Sequence, residues 1–579
     1  MALLPMTPFN LAKLVSLKDF IPRTFELFSK QGYSRQSFGK DCISGVTVGI
    51  VALPLAMAFS IAAGGTPAQG LYTAIAAGFF ISLLGGSKFQ IGGPTGAFVV
   101  IIYGVIARHG MGGLIIATTM AGIILILMGV SGLGRLIKYI PYPVTTGFTT
   151  GIGVLIFCQQ IKDFFGLPIA KTSPEFFTAW GQYIEAFPRA QPITISIGIL
   201  SLVVMLFVRK MYPRIPAAVV GVIVATLACY FGGLPTETIG SRFGGIPQGL
   251  PVPVMPALSW ALIRDLLPDT FTIALLAAIE SLLSAVVADT MTGDRHNANM
   301  ELVAQGVGNL AAAFMGGIPA TGAIARTATN IKSGAVSPVS GIIHSVTLVL
   351  FILFLAPAAS VIPLACLSAV LMVMAWDMSN FARFTRIVRR APKSDTIVLL
   401  TTFILTIATD LTFAVEVGMI MAVVLFLKRI IEVTEIRSGK KIGDLEIGLG
   451  GSPRDDNRTT LPPHPRDVEI YEITGPFFFG VADMLQNILR KVAKKPSAFI
   501  LRMRDVPAVD STGITALESF LAQCRQGKIK LIISEVREQP RHALEKAGFI
   551  TEIGAGNVAA TLEEAIQLTK PIDFFVPNF

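Results

Sequence analysis

The chain has 579 residues, of which 52% are hydrophobic and only 15% are charged. These proportions lie far from those of a soluble globular domain and exclude a protein built around a single water-covered core. The net charge of +10 does not predict nucleic-acid binding, because the lysines and arginines flank apolar runs, as they do in the cytoplasmic loops of membrane proteins.

Apolar runs long enough to span a bilayer recur from residue 42 to residue 432. They predict a polytopic α-helical membrane domain behind a cytoplasmic N-terminal segment, residues 1–41. The fourteen predicted spans form two sets of seven, and the first set is 42–63, 68–85, 95–107, 112–130, 143–160, 192–209 and 215–232. The second set is 268–289, 300–315, 321–332, 339–357, 361–377, 395–411 and 413–431. The third span of each set is too short to cross a hydrocarbon core of about 30 Å as a helix.

Each of these short spans begins at a glycine–proline break. The first break, Gly92 to Ala97, has the sequence GGPTGA, and the second, Gly316 to Ala323, has the sequence GGIPATGA. A helix that starts inside the membrane leaves its first backbone N–H groups without partners and places the positive end of its dipole there. Two such ends would form a site for an anion, with Thr95 and Thr321 as hydroxyl donors or helix caps. In the alternative interpretation, glycine and proline only kink or pack the helices.

The two halves of the membrane domain resemble each other at three places. The segment GVTVGIVALPLAMAFSIA from Gly45 matches FTIALLAAIESLLSAVVA from Phe271, the two breaks match, and YIPYPVTTGF around Pro141 matches VIPLACLSAV around Pro363. The offsets of 226, 224 and 222 residues are nearly constant and indicate a duplication. Because each half has an odd number of crossings, the sequence predicts a 7+7 inverted repeat with half-helices at spans 3 and 10.

Two ionisable residues lie inside predicted spans, where a charge is costly. Glu280 lies in the eighth span, and Arg326 lies one turn into the tenth. The arginine would add a full positive charge to the anion site. A charged Glu280 would repel the anion, and a proton on Glu280 would remove that repulsion, so anion and proton would move together. The alternative is a permanent Glu280–Arg326 ion pair with a structural role.

Metal and cofactor chemistry is not predicted. The five cysteines contain no CxxC pair, and the five histidines lack the spacing of metal ligands. The sequence also shows no arrangement of a nucleophile with a base. We therefore expect no metal, no cofactor and no enzymatic activity.

The last part of the chain is polar and begins with a stretch rich in glycine and proline, which predicts a linker over 433–467. Residues 468–579 predict a soluble α/β domain, with strands at VEIYEITG, AFILRM and IKLIISE and helices at STGITALESFLAQCRQ and QPRHALEKAGF. Fourteen crossings from a cytoplasmic N-terminus would place this domain in the cytoplasm as well.

Four segments resemble the sulfate permease (SulP) family of anion transporters. They are GVTVGIVALPLAMAFSIAAG, GGPTGAFVVI, IESLLSAVVAD followed by GDRHNANMELVAQGVGNL, and VPAVDSTGITAL. The resemblance covers essentially the whole chain. It implies a core bundle that moves against a gate bundle, a cytoplasmic STAS domain and a homodimer.

Within this family the chain is most similar to bacterial proton-coupled C4-dicarboxylate transporters, through Glu280 in AIESLLSAVV, through TGAIARTATNIKSGAVSPVSGIIHS and through APKSD. Members that carry bicarbonate with sodium are the near alternative. They have an aspartate in place of Glu280 and a hydroxyl residue in place of Ile324, and only Ser284 keeps the polar character of their sodium site. The resemblance implies a proton-coupling site at Glu280 and Ser284. It implies a substrate site formed by Phe59, Thr95, Gly96, Ala97, Gly322, Ala323, Ile324, Ala325 and Arg326.

The C-terminal domain resembles the STAS fold, which also occurs in anti-sigma factor antagonists. In those proteins a serine or threonine at a helix start is phosphorylated. The matching residues here are Ser511 and Thr512, directly after Asp510. The alternative is that Asp510 or Ser511 only caps the helix.

Together these features predict a secondary active transporter of a small anion in the cytoplasmic (inner) membrane of a bacterium. The favoured cargo is succinate, fumarate or a similar dicarboxylate with a proton, and the alternative is bicarbonate or sulfate. A protein of another class stays open, one that binds an anion and signals through the STAS domain to a cytoplasmic protein partner.

Overall fold

The computed structural model describes residues 20–25, 33–137, 141–170, 172–212, 215–249, 253, 259–409, 411–433, 435–438, 465, 467–478, 485 and 495–569. The chain divides after residue 422 into a helical unit and a C-terminal unit. Most of the predicted N-terminal segment, 1–41, and most of the predicted linker, 433–467, lie outside the described residues.

The first half of the helical unit follows the predicted spans. Its long helices are α1 Arg35–Ala62, α2 Pro67–Leu84, α3 Val99–Val130, α4 Tyr142–Gln159, α5 Pro192–Met211 and α6 Ala217–Gly232. Shorter helices cover Gly134–Ile137, Ile161–Phe165, Phe176–Ala186 and Ile239–Phe243, and 3-10 turns cover Gly96–Phe98 and Phe187–Arg189. Helix α1 begins before the predicted residue 42 because the Ser34 side chain caps its first turn. Helix α3 contains the third and fourth predicted spans, which are separated at Gly110, whose φ of 68° is not helical.

The second half contains α7 Trp260–Thr292, α8 Ala298–Phe314, α9 Ile324–Lys332, α10 Val339–Ala359, α11 Leu364–Ser379, α12 Phe381–Arg390, α13 Lys393–Ala408 and α14 Leu411–Val433. Each predicted span overlaps a helix of the structure. Among the described residues, eight helices are long and apolar enough to cross a membrane. The polytopic helical architecture is therefore confirmed, and the number of fourteen crossings stays a prediction.

The helices of this unit pack mostly within two groups. One group contains α1, α2, α3, α7, α8, α9 and α10, and the other contains α4, α5, α6, α11 and α13. Corresponding helices of the two halves make corresponding contacts across the halves. The contact of α8 with α3 corresponds to the contact of α2 with α10, and the contact of α10 with α1 corresponds to that of α3 with α7. Two oppositely oriented copies of one helix arrangement would produce such pairs of contacts.

Among its described residues, the C-terminal unit contains a five-stranded sheet in which the strands lie side by side in chain order. The strands are β3 Glu435–Ser438, β4 Val468–Thr474, β5 Ala498–Asp505, β6 Lys530–Ser534 and β7 Val558–Ala559. Only β3 and β4 pair in antiparallel fashion; the other neighbours are parallel. The helices are α15 Ser511–Gln526, α16 Glu538–Lys546, α17 Phe549–Ile553 and α18 Leu562–Gln567. Because β3 lies within the predicted linker, the polar connection starts after this edge strand and not at residue 433.

Candidate anion site

The two glycine–proline breaks meet in space. The short strand β1, Gly92–Gly93, pairs with the antiparallel strand β2, Thr321–Gly322. Beside this pair, the Ala323 backbone N–H donates to the carbonyl of Ile91 over 2.8 Å. Helix α9 begins directly after β2, and the 3-10 turn that leads into α3 begins shortly after β1. The amino ends of both half-helices therefore lie at one junction.

Backbone donors are left over at this junction. Neither helix start has a side-chain cap, since the Thr95 hydroxyl accepts no hydrogen bond from the first turn and the Ala323 side chain has no polar atom. Among the described residues, no protein acceptor is found for the N–H groups of Gly96, Ala97, Ile324, Ala325 and Arg326. Free N–H groups at two helix starts create a region of positive potential that suits an anion.

Arg326 brings a full positive charge to the same place. Its side chain is only 2% exposed, and its Nη2 donates to the backbone carbonyl of Pro94. Its Nη1 is buried without a hydrogen-bond partner. That nitrogen lies against Gly93, whose φ of 150° is strained for any residue with a side chain, and a Cβ at Gly93 would collide with it. The break thus holds a buried cation whose second nitrogen is available to a ligand.

Glu280 lies in α7, on the turn that supports β2. The neighbouring Ala277 carbonyl accepts a hydrogen bond from the Thr321 hydroxyl at 3.0 Å, and the Ser281 hydroxyl accepts one from the Gly322 N–H at 3.1 Å. Glu280 itself is 7% exposed. Glu280 and Arg326 both belong to the described residues, and no carboxylate oxygen of Glu280 lies within 4.0 Å of a guanidinium nitrogen of Arg326. The ion-pair alternative therefore does not hold in this structure.

Some hydroxyl groups near the two breaks have hydrogen-bond partners, and one has none among the described residues. The Thr321 hydroxyl lies 2.7 Å from that of Ser281, and the Ser284 hydroxyl donates to the Thr327 hydroxyl over 3.1 Å. These groups bind one another and stabilise the packing of α7 on β2 and α9. The Thr95 hydroxyl, in contrast, is buried and has no partner among the described residues, so it is free to bind a ligand.

Phe59 packs against the first half-helix. A Cβ placed on Gly96 would lie 3.1 Å from Phe59 Cε1, 3.1 Å from Ile156 Cδ1 and 2.7 Å from Met378 Sδ. Gly96 therefore lies at a tight contact between the first group of helices and helices α4 and α11 of the second group. The sequence analysis did not select Ile156 and Met378, because no pattern marks an apolar residue that only the opposing helix brings to the site.

The predicted substrate residues differ in exposure. Phe59, Gly96, Ala97, Gly322 and Ala323 are buried, whereas Ile324 keeps 38% of its surface exposed and Ala325 is also exposed. Since both exposed residues lie in the first turn of α9, the junction is open on that side. All nine predicted substrate residues lie at or next to the junction, but no bound anion tests their roles.

The sequence analysis also missed His344 in α10. This residue is fully buried, and neither of its ring nitrogens has a partner among the described residues. The Cβ position of Gly78 lies 3.4 Å from His344 Cε1 and 3.3 Å from the Gly92 carbonyl oxygen, so the ring lies behind β1. The available signal was a single histidine inside an otherwise apolar predicted span.

Two crevices separate α7 from the second group of helices and from α14. One has a volume of about 1090 Å³ and is lined in part by Arg108, Asp265 and Glu416. The other, of about 710 Å³, is largely apolar and is lined in part by Phe148 and Ile279. Neither is lined by a residue of the breaks, but Ile279 directly precedes Glu280.

The predicted phosphorylation site lies at the start of α15 in the C-terminal unit. The Asp510 side chain accepts a hydrogen bond from the Gly513 N–H at 2.8 Å and caps the helix. Ser511 and Thr512 are exposed beside this cap. Capping by Asp510 is thus observed, and phosphorylation stays a hypothesis.

Comparison with family models decides the identity of the chain. A model described as the sulfate permease family matches residues 38–402, and a model of the STAS domain matches residues 462–565. The chain belongs to the sulfate permease family. It is therefore a multi-pass anion transporter with a C-terminal STAS domain and not an enzyme, as predicted from the resemblance of its motifs.

Two named bacterial transporters resemble the chain along almost its full length. A Bacillus subtilis protein named "Putative sulfate transporter YvdB" is 42% identical over 526 residues, which cover 90% of this chain and 96% of that protein. A Picosynechococcus protein named "Bicarbonate transporter BicA" is 28% identical over 539 residues, or 91% of this chain and 94% of that protein.

Two solved structures of transporters show the same fold as this chain. The murine anion transporter Slc26a9, in an inward-facing state, superposes with a TM-score of 0.83 at 17% identity, over 96% of this chain and 94% of that one. The transmembrane domain of a cyanobacterial BicA superposes with a TM-score of 0.59 at 29% identity, over 67% of this chain and 98% of that one. At 17% identity, the likeness to Slc26a9 shows a shared fold and nothing more.

Proposed function

We propose that this protein is a proton-coupled secondary active transporter of a small anion in the cytoplasmic membrane of a bacterium, with both termini in the cytoplasm. The observation that carries the proposal is the junction of the two half-helices. There, unpaired backbone N–H groups and the buried charge of Arg326 converge, and no acidic side chain within 4.0 Å neutralises this arginine among the described residues. An anion would supply the missing negative charge.

Glu280 is the proposed coupling residue. A carboxylate beside an anion site repels the anion through a medium of low dielectric constant, and a proton on that carboxylate removes the repulsion. Because Arg326 does not pair with it, Glu280 is free to exchange a proton during the cycle. Ser284 contributes indirectly, since its hydroxyl bond to Thr327 fixes α9 against α7.

The proposed movement is a shift of the first group of helices, which carries both breaks, against the second group. Two observations support this division. The helices pack mainly within their own group, and the crevices of about 1090 and 710 Å³ lie along α7, where the groups are less tightly joined. Such a shift would carry the site across the membrane without rebuilding it.

The favoured cargo is a C4-dicarboxylate, such as succinate or fumarate. This choice rests on the motif resemblance around Glu280 and on Ile324, which stands where sodium-dependent bicarbonate carriers have a hydroxyl group. Sulfate is the second candidate because the 42% identical Bacillus subtilis relative is named a putative sulfate transporter, and bicarbonate is the third because BicA is named a bicarbonate transporter. Backbone N–H groups and an arginine recognise negative charge in all three anions.

Reconstitution in liposomes tests the proposal. Labelled succinate, sulfate and bicarbonate are offered with and without an inward proton gradient. We expect accumulation of one anion that the gradient stimulates. Binding of an anion without flux would instead favour a sensor that signals through the STAS domain to a cytoplasmic partner. Homodimer formation, which the family resemblance implies, is tested on the same sample by the mass of the solubilised protein.

A further inference from the structure

The helix α12 is a short connection with two different faces. Phe381, Phe384, Ile387 and Val388 fall on one side of its helical wheel, and Arg383, Arg386, Arg389 and Arg390 fall on the other. Its separation of apolar and basic residues is that of a helix lying in a membrane interface.

The position of α12 in the chain supports this location. It follows α11 after one residue, Asn380, whose left-handed backbone (φ 40°) turns the chain sharply, and it precedes α13 after Ala391 and Pro392. Because α11 and α13 both lie in predicted spans, a ten-residue helix between their ends must lie near the membrane surface.

Aromatic side chains mark the depth of the helix. Phe381 stacks on Trp376 with ring centroids 5.7 Å apart, and Phe384 lies 5.1 Å from Phe403 of α13. The guanidinium of Arg383 lies 5.4 Å from the centre of the Tyr142 ring. Trp376 remains 65% exposed, and Tyr142 remains 49% exposed. Exposed tryptophan and tyrosine of this kind are enriched at the level of lipid headgroups.

The remaining arginines lack a negative partner. Arg386, Arg389 and Arg390 are exposed, and none of them forms an ion pair with a described acidic residue. Of the two acids that flank α12 in the chain, Asp377 at the end of α11 is bound through both carboxylate oxygens by Arg209, each at 2.9 Å, and Asp395 in the first turn of α13 accepts a hydrogen bond from the Ser394 hydroxyl. The basic face therefore has a surplus of positive charge that the protein itself does not neutralise.

We propose that the basic face of α12 binds the phosphate groups of anionic phospholipids, with phosphatidylglycerol as the occupant in a bacterial membrane. Arg386 and Arg390 are four residues apart and thus lie one turn apart on one face, where their two positive charges can reach one phosphodiester group. The apolar face, with Phe384 on Phe403, holds the helix at the depth where this contact is made. The lipid would fix the ends of α11 and α13, which belong to the second group of helices. This inference does not depend on which anion is transported.

Lipid retention by the full-length protein tests the inference. The protein is purified in detergent, supplied with equal amounts of phosphatidylglycerol and phosphatidylcholine, and analysed for bound lipid by native mass spectrometry. We expect several-fold more phosphatidylglycerol than phosphatidylcholine on the unmodified chain, with the difference shrinking at high salt because exposed charges are screened. Equal retention of the two lipids would overturn the proposal.

Matched variants locate the site. R386Q/R390Q should lower phosphatidylglycerol retention several-fold, to the level of phosphatidylcholine, and R386K/R390K should keep most of it, since the interaction is mainly with charge. The control R189Q/R264Q removes two exposed arginines at the predicted opposite membrane surface and should leave retention unchanged. Retention that is equal in R386Q/R390Q and the unmodified chain, or equally reduced in R189Q/R264Q, would contradict the assignment. If R386Q/R390Q fails to fold, the single variants R386Q and R390Q are compared in the same way, and retention equal to that of the unmodified chain in both would contradict the assignment.

Discussion

The guanidinium of Arg326 donates a hydrogen bond to the backbone carbonyl of Pro94, so a side chain from the second repeat holds the break of the first. One residue therefore both joins the two half-helix starts and supplies the positive charge between them. Its second terminal nitrogen is buried without a partner. Such a buried, unpaired donor is costly, and a bound anion would remove that cost.

Replacement of Arg326 separates its charge from its geometry. Arg326→Ala should weaken anion binding about ten- to a hundred-fold, because a hydrogen bond to a charged group contributes about 1.5–3 kcal/mol. Arg326→Lys keeps the charge but cannot bind Pro94 and a ligand at once, because it lacks the planar guanidinium group. Its anion affinity should therefore lie between those of Arg326→Ala and the unmodified protein. Titration calorimetry on purified protein measures the affinities. An affinity of Arg326→Ala within two-fold of the unmodified protein would show that backbone donors suffice.

Glu280→Gln should uncouple transport from the proton gradient while leaving exchange of anions across the membrane. The amide keeps the shape of the side chain but cannot release a proton. Uptake into liposomes with and without a pH gradient measures the effect. Stimulation by the gradient that persists in Glu280→Gln would remove the coupling role.

Glu301 provides the matched control for that experiment. It is also a buried carboxylate in the helical unit, but it accepts hydrogen bonds from the N–H groups of Gly86 and Ser87 at 2.9 and 3.1 Å. Glu301→Gln should therefore lower thermal stability, because both carboxyl oxygens of Glu301 accept hydrogen bonds and the amide of glutamine offers only one oxygen, and it should keep the proton dependence of whatever transport remains.

Gly96→Ala tests the proposed sliding between the two groups of helices. The new methyl group would lie 2.7 Å from Met378 Sδ and 3.1 Å from Phe59 Cε1, closer than carbon normally approaches either atom. We expect the transport rate to fall at least about ten-fold with a smaller change in the unfolding temperature. The double variant Gly96→Ala/Met378→Ala makes room and should recover part of the rate. No recovery would show that the methyl group acts on the anion site and not on the contact between groups.

Asp510→Ala tests the helix cap of the STAS domain. Loss of the bond to the Gly513 N–H should lower the free energy of unfolding of this domain by about 1 kcal/mol. Thr512→Ala removes an exposed side chain beside the cap and should change it by less than about 0.5 kcal/mol. Chemical denaturation followed by circular dichroism compares the two variants. Equal effects would mean that Asp510 does not act as the cap.

The Cys524 thiol should be nearly inert in the folded protein. Burial raises the pKa of this thiol to about 12, so only about one molecule in 10⁴ carries the reactive thiolate at pH 8. Peptide-resolved labelling with N-ethylmaleimide should modify Cys524 only after denaturation, whereas the half-buried Cys42 should react earlier. Fast labelling of Cys524 in the native protein at pH 8 would contradict its burial.

Much of the fold could be predicted because hydrophobicity and helix-breaking residues act locally. The break at Gly92 to Ala97 and the helix at Ser511–Gln526 both lie where glycine, proline and capping residues stand in the chain. Where local signals are weak, the prediction was less accurate. The edge strand β3, in a stretch predicted as a linker, forms because β4 offers it backbone partners. The sequence offered Glu280 as a partner of Arg326, whereas in the structure Arg326 donates to the Pro94 carbonyl.

The sequence by itself determined that this chain spans a membrane repeatedly, that two of its spans are broken, and that each break exposes backbone donors, because these properties follow from residue type and periodicity. Only the tertiary structure decided that the breaks pair as β1 and β2, that Arg326 binds the Pro94 carbonyl, and that Met378 and His344 lie beside the junction. These contacts join residues more than two hundred positions apart in the chain or on opposing helices. Packing brings them together, and no local pattern encodes that packing.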